Sequence, residues 1–598
     1  MTPPRRPAVR RTAGFAFTAL LLTATAGVRA ADNALALADI RSAITYLVNK
    51  EMSAKDVVGL SLALVDDQKI IWAEGFGFAD KERRRPAHAD TMYAVGDLSQ
   101  LLTATAVLQW VDRDAAALDQ PIQRHVPEFF MRTRDGQPHA ITVRQLLSHH
   151  AGLPAMHLRG MWTPAPEPLA TFVARLKNET APFPPNLFHA PSFPGYDVLG
   201  RLIEKHCGQS FARCLKEHTL EPLGMKHATF QIDSIKNDSY AMHYWSGKPV
   251  PSQVVRDVPA SGLASSATEL AHLAQMLFAQ GRYNGRQVLS ARSAQEMLHA
   301  QNTKVALDLG NHVALPWRLA GVRFAEARTV AWLNNESPFA RGRMLLVPEH
   351  KLAVVVLTNC SGSTPAVEKI SERLMELVLQ ARKLPPAPAA VPTLTASASP
   401  LHRDDVVGHY ATKLGLISVS ATGQHYQARL LGRTVALRPA GDGLLAPQYH
   451  LLGFIPIPLE ALKEARLSIA RVGGQPHAVA YYRQQTRRLG DRIQPVTLNA
   501  AWQRRLGEYT AMERDPLLNL VKMHNVRLAH NDGILQFRYR IPGWLGLMVS
   551  IPVRPVSDTE LVVEGTGWLM GDSVQVVPRQ GQEALRYSGY EFRQVGRP

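Results

Sequence analysis

The spacing of apolar positions changes character along this chain. Between Val57 and Phe76 two strand-like apolar runs flank the polar stretch Asp66-Asp67-Gln68-Lys69, which predicts a hairpin. A second hairpin is predicted far downstream, where Met344 to Val347 and Leu352 to Leu357 flank Pro348-Glu349-His350-Lys351. Between the two, apolar residues recur at helical spacing over Leu98 to Val111, Val143 to Ser148, Tyr196 to His206 and Ala267 to Gln280, and a last helix is expected near Ala366 to Arg382. Strands at both ends with helices between them predict an α/β (α+β) domain: one antiparallel sheet built from both ends of the segment, with helices packed on it.

The pattern then breaks. Residues 384–400 read LPPAPAAVPTLTASASP, a Pro/Ala/Thr/Ser tract expected to be extended and semi-rigid, and therefore a domain boundary. Beyond it apolar residues alternate, as at Ile417, Val419 and Ala421, and again at Val526 and Leu528, then Asn531-Asp532-Gly533, then Leu535, Phe537 and Tyr539. This predicts an all-β region of two barrel-like modules, 401–495 and 496–598. Gly408-His409-Tyr410 and Gly507-Glu508-Tyr509 open the two halves, and Tyr482-Arg483-Gln484 and Phe592-Arg593-Gln594 stand near their ends, which suggests a duplication. Each half contains an unusually apolar piece, 451–459 and 541–553, too short for a membrane-spanning helix and expected to be buried barrel strand, with an exposed lipid-facing or partner-facing lip as the alternative.

Charge and composition add a location. Arg5, Arg6, Arg10 and Arg11 precede an apolar run from Ala13 to Gly27 that ends in Val28-Arg29-Ala30, the pattern of a signal peptide cut after Ala30. The expected mature chain, starting with a first domain over 31–383, is periplasmic or otherwise exported and has no transmembrane span. The formal charge of +17 falls to +12 when five arginines leave with the leader. Residues 401–598 carry 24 Lys and Arg against 16 Asp and Glu, so much of the excess lies in the C-terminal region. In an exported protein such a surface suits peptidoglycan, an anionic envelope polymer, lipid or a protein partner, and nucleic acid is not expected. It equally suits a solvated face that keeps the protein soluble. Cys207, Cys214 and Cys360 allow one disulfide at most, and sequence alone does not bring Cys207 and Cys214 within bonding range.

Several segments between residues 57 and 382 resemble the serine β-lactamase, penicillin-binding-protein and esterase family together: GLSLALVDDQKIIWAEGFGFAD (59–80), LLTATAVLQWVDRDAAALDQPIQRHVPEF (101–129), ITVRQLLSHHAGLP (141–154), GYDVLGRLIEKHCGQSF (195–211), EPLGMKHATF (221–230), SGLASSATELAHLAQML (261–277) and VVVLTN (354–359). The resemblance implies three catalytic motifs, and each departs from the family. The SxxK motif at the start of the central helix, where a lysine activates the serine, falls on Asp97-Leu98-Ser99-Gln100. Ser99 cannot substitute, because two residues along a helix is about 200° of rotation. No lysine in the chain has Ser, Thr or Cys three positions before it. The Tyr-x-Asn or Tyr-x-Ser motif falls on Pro191-Ser192-Phe193, and the Lys- or His-x-Gly strand on Leu333-Asn334-Asn335.

Asp97 followed by Gln100 reads instead as a capping box, and the helix N-terminus is expected to keep Asp97 ionised and weakly basic. The site is therefore expected to hold no catalytic residue of the family's kind, and Asp97, Gln100, Pro191, Ser192, Phe193, Leu333 and Asn335 mark a degenerate cleft partly filled by Pro191, Phe193 and Leu333. Two functions follow. One is a noncatalytic binding, scaffolding or regulatory protein of the cell envelope. The other is a serine-hydrolase-fold enzyme (an esterase, D-amino-acid peptidase or β-lactamase-like hydrolase) with replaced chemistry centred on Asp97, with Glu336 or Ser192 nearby. Neither HExxH nor paired CxxC occurs, His149 and His150 fall in a segment that looks structural, and no metal or cofactor is expected.

Overall fold

A computed structural model describes residues 37–163, 165–231, 239–251, 254–319, 321–387, 403–423, 425–440, 444–448, 450–451, 455–456, 466–482, 485–513, 525–540, 548–567, 569–579 and 581–596. The segment expected to be a leader, most of the 384–400 tract and most of the two apolar pieces lie outside these residues. Met548 to Val553 of the second piece belong to the barrel strand Met548–Ser557.

Both predicted hairpins form. Gly59–Asp66 pairs with Lys69–Asp80, and Arg341–Val347 with Leu352–Thr358. The first and last of these strands join antiparallel, Leu62 opposite Val356, so one sheet is built from both ends of the domain. It has six strands, with Ala331–Asn335 at one edge and Arg85–Pro86 at the other. The central strands are apolar on both faces because both are covered. Leu60, Leu62, Leu64, Val354 and Val356 share a core with Ile44 of the helix over 37–54 and Ile370 of the Thr364–Ala381 helix. Ala63, Val65, Val355 and Leu357 face the helical body instead. Each such leucine contributes about 1.5–3 kcal/mol by burial.

Within the helical body, Ser99–Val111 is buried along nearly its whole length. Phe193–Cys207 packs beside it, started by Ser192, whose Oγ accepts the Gly195 N–H at 3.0 Å, and ended by Gly208 in the left-handed region. Past this helix end Cys207 and Cys214 form a disulfide, with Cα atoms 6.2 Å apart, while Cys360 is buried and free.

The C-terminal region contains two closed eight-stranded barrels, Gly408–Thr412 to Gln485–Ile493 and Gly507–Ala511 to Tyr590–Gly596. The Gly-x-Tyr pairs open equivalent first strands. In each, the tyrosine hydroxyl donates to a carbonyl at the end of a preceding short helix: Tyr410 to Asp405 O at 2.8 Å and Tyr509 to Arg505 O at 2.7 Å. The closing triplets are not equivalent. Tyr482 ends the seventh strand of its barrel, whereas Phe592 lies in the eighth strand of the other. Among the described residues, no helix is long and apolar enough to cross a membrane.

Candidate functional site

The three segments expected to hold catalytic residues converge where the Ser99–Val111 helix starts. The approach is tight. Gly96, with φ +49°, leaves room for Asn335, and a Cβ there would lie 1.9 Å from Asn335 Oδ1. Period-two alternation on the edge strand points Leu333 and Asn335 one way and Asn334 the other, where its amide reaches Glu368 at 3.1 Å.

Asp97 does not cap the helix. A 3₁₀ turn, Gly96–Leu98, precedes the α-helix, whose N-cap is Leu98 without a side-chain hydrogen bond. This turn rotates the Asp97 carboxylate outward, where Oδ2 accepts the Glu336 N–H at 2.8 Å and Oδ1 lies 3.5 Å from the Gln100 amide. The expectation of an ionised, weakly basic Asp97 is also overturned. The residue keeps some solvent contact, yet burial of its carboxyl, helped by the Glu336 charge, outweighs the Glu336 N–H and Arg341 and pushes it up to about 7. Glu336 itself is exposed.

Gln100 is buried and bonded elsewhere. Its Oε1 accepts from His149 Nε2 at 2.9 Å, and His149 Nδ1 accepts the Ser192 N–H at 3.2 Å, which fixes the tautomer. Burial, with Arg318 and His150 adding to it, pushes the His149 imidazole down to about 3, so it is neutral. The backbone φ of His149 is +59°, an uncommon value for a side chain of this size. Ser192 Oγ donates to Pro154 O at 2.6 Å while it caps its helix. Ser99 Oγ accepts the Leu263 N–H at 2.9 Å in the core. Asn335 donates to Ala94 O at 3.2 Å and accepts from Ser337 N at 2.9 Å. Phe193 and Leu333 belong to the main hydrophobic core, and Pro191 is half-buried.

The structure thus brings Asp97, Gln100, Ser192 and Asn335 into one neighbourhood, and it adds His149, which sequence reasoning set aside as structural. Nothing in the His149-His150 pair distinguishes a bridge between two distant segments from a core histidine. His150 turns the other way, to Asp308 Oδ2 at 2.9 Å, and Asp308 Oδ1 accepts the His189 N–H at 2.7 Å. Arg318 pairs by backbone with Trp332, one residue before Leu333, and so extends the sheet past its edge strand.

A family model for β-lactamase matches residues 44–379. Protein flp of Staphylococcus aureus (strain MW2) is 24% identical over 351 residues, 56% of this chain and 66% of that protein. Esterase EstB of Burkholderia gladioli is 27% identical over 226 residues, 36% of this chain and 57% of the esterase. The chain therefore aligns with less than two thirds of either relative. Among solved structures, SurE superposes with a TM-score of 0.56 at 22% identity, covering 77% of this chain and all of that one (100%). The octameric penicillin-binding protein homologue from Pyrococcus abyssi gives 0.50 at 23% identity over 75% of this chain and 98% of its own. These likenesses are of fold.

Proposed function

Because the match over residues 44–379 makes this chain a member of the β-lactamase family, we infer that it is one that has given up serine chemistry and serves as a noncatalytic binding, scaffolding or regulatory protein of the cell envelope. One observation carries this reading: the polar atoms at the positions catalysis requires are consumed by internal hydrogen bonds. Gln100 stands where the family's lysine would and is tied through His149 to Ser192, while Asp97 stands where the nucleophile would and holds the Glu336 backbone. Loss of a nucleophile or its base alone costs on the order of a million-fold in turnover. Export by the N-terminal leader and the positive charge of the barrels support a place beside anionic envelope polymers, lipid or a protein partner.

A second reading, an enzyme working through Asp97, is favoured by one specific observation. A carboxyl pushed up to about 7 is poised for proton transfer near neutral pH.

The test is the intact mass of the chain after incubation with a penicillin and, separately, a fluorophosphonate. The control is the triple variant Asp97→Ser, Gln100→Lys, Pro191→Tyr. No adduct on the wild type with labelling of the variant is the expected result. A stoichiometric adduct on a wild-type cleft residue would overturn it.

A further inference from the structure

The second barrel sorts its strand arginines. Arg554 pairs with Glu564 and Arg579 with Glu591, and Arg586 donates to Gln575. Arg527, Arg538, Arg540 and Arg593 pair with no carboxylate among the described residues, and all four lie on one outer face. Alternation puts them there. Val526, Leu528 and Phe592 point into the barrel core, so Arg527 and Arg593 point out, and Phe537 and Tyr539 do the same for Arg538 and Arg540. Tyr509 points in as well, which leaves Glu508 and Thr510 outward on the strand between.

Cross-strand register gathers these side chains. One row reads Glu508, Arg527, Arg538, Ser550, each opposite the next. Beside it Arg593 stands opposite Thr510, and Thr510 opposite Asn525, while Arg540 faces Met548. Like charges directly opposite in a sheet repel and cost stability, and Arg527 and Arg538 are such a pair. Glu508 stands opposite Arg527 without an ion pair to it among the described residues. The Asn531 amide, turned with its oxygen toward Arg538, accepts from it at 3.3 Å. Arg527, Arg540 and Arg593 are exposed and Arg538 is half-buried.

The basic face reaches the seam with the first barrel. A Cβ on Gly415 would lie 2.5 Å from Ser550 O, and one on Gly432 would lie 3.9 Å from Met548 Cβ. The hairpin that turns at Gly432 carries Arg429, exposed and directed outward because its neighbour Ala428 is buried. Arg429 also lacks a carboxylate partner among the described residues.

These charges select a kind of partner. Guanidinium forks match phosphate oxygens two at a time. Arg538 and Arg540 are two residues apart, so the strand offers them about 6–7 Å apart, a spacing suited to a repeated anion. Thr510, Asn525 and Ser550 make the middle of the face polar. Exposed Val595 and Leu414 border it at opposite ends, next to Gly596 and Gly415, and form no continuous apolar patch. The face therefore lacks the apolar anchors of a protein interface and the apolar side of a bilayer-entering surface.

We propose that this face docks a linear phosphate-bearing polymer of the cell envelope. The choice of an envelope polymer rests on the envelope location proposed above. The arginine face does not depend on whether the cleft is inert, so covalent labelling of the cleft and polymer binding succeed or fail separately.

Fluorescence anisotropy of an end-labelled long-chain polyphosphate, titrated with the full chain, tests it. Saturable binding that weakens steeply as salt rises from about 0.05 to 0.3 M is expected. Arg527→Glu/Arg540→Glu should weaken binding by about tenfold or more, and the charge-matched control Arg113→Glu/Arg124→Glu, at exposed positions of the body, should change it by less than about twofold. Arg527→Gln/Arg540→Gln relieves the repulsion instead of reversing the charge, should weaken binding in the same direction, and keeps the test valid should the double reversal disturb folding. Absence of saturable binding, or equal losses in the face and control variants, overturns the surface. Tighter binding to phosphatidylglycerol vesicles or to single-stranded DNA than to polyphosphate overturns the envelope polymer.

Discussion

A glutamine that accepts from a buried neutral histidine is replaceable only at a cost. Shortening Gln100 leaves His149 Nε2 without an acceptor in a site where burial already disfavours its charged form. Gln100→Ala should therefore destabilise the chain by about 1–3 kcal/mol, the cost of an unsatisfied buried donor, measured by urea unfolding near neutral pH. Asp97 gives a spectroscopic prediction. Its carboxyl, ordinarily at 3.8, is held at about 7 by burial, so the carboxyl carbon resonance should titrate near neutrality and vanish from the difference between wild type and Asp97→Asn. A midpoint near 4 would refute the enclosed environment. Neither feature was legible in the sequence. The spacing of Asp97 and Gln100 fits a capping box, and only the 3₁₀ turn before the helix, set by the close approach of Gly96 to Asn335, rotates both side chains away from that role.

At the scale of elements, hydrophobic period carried most of the information. The two hairpins, the five helices and their meeting in one sheet were legible because Leu60 to Val65 and Leu352 to Leu357 are apolar on both faces, as strands buried from both sides must be. What period does not report is polar burial between helices. The Phe193–Cys207 helix lies so close to the Val258–Ser261 turn that a Cβ on Gly200 would come within 2.3 Å of Pro259. Beside that contact Asp197 and Asp257 are wholly buried, and Arg256 Nε donates to Asp257 Oδ1 at 2.6 Å. Burial and the Asp257 charge raise the Asp197 carboxyl well above its usual value, so the folded state holds a proton there that the unfolded chain releases. Stability from this group is present at acid pH and lost as pH rises. Asp197→Asn should therefore be as stable as wild type in acid and more stable at neutral and alkaline pH. Asp257→Asn strands the Arg256 charge in the core and should cost about 3–5 kcal/mol. Denaturant titrations across pH distinguish the two.

The whole molecule is held together by seams that no sequence pattern announced, because each joins loops far apart in the chain. The 157–163 segment of the body docks on the second barrel. Leu158 N–H donates to Ser588 Oγ at 2.8 Å, Arg159 pairs with Glu513 at 2.8 Å, and Gly589 lies so near His157 that a Cβ would be 2.5 Å from the ring. The first barrel is tied to the body by Asn311, which donates to Thr486 O at 2.8 Å, and by Arg488 over the Phe188 ring. Between body and second barrel lies a small cavity of about 20 Å³ lined by His157, Glu179, Asp572 and Ser588, room for one water. Asp572 Oδ1 and His157 Nδ1 face no protein partner there. Burial and the Glu179 charge push the Asp572 carboxyl up to about 7 against the pull of Arg134, and Tyr587 faces the same group from the barrel. The docked state thus keeps a proton that a separated barrel would release near 3.8, so docking is tightest in acid and weakens as pH rises through about 7. Asp572→Asn removes that weakening, since its amide stays neutral at any pH. Wild type and variant should unfold alike at about pH 4, and the variant should be more stable by about 1–4 kcal/mol at about pH 8.5. A difference that does not change with pH would mean that Asp572 stays ionised at the seam, with Arg134 and not a proton balancing its charge.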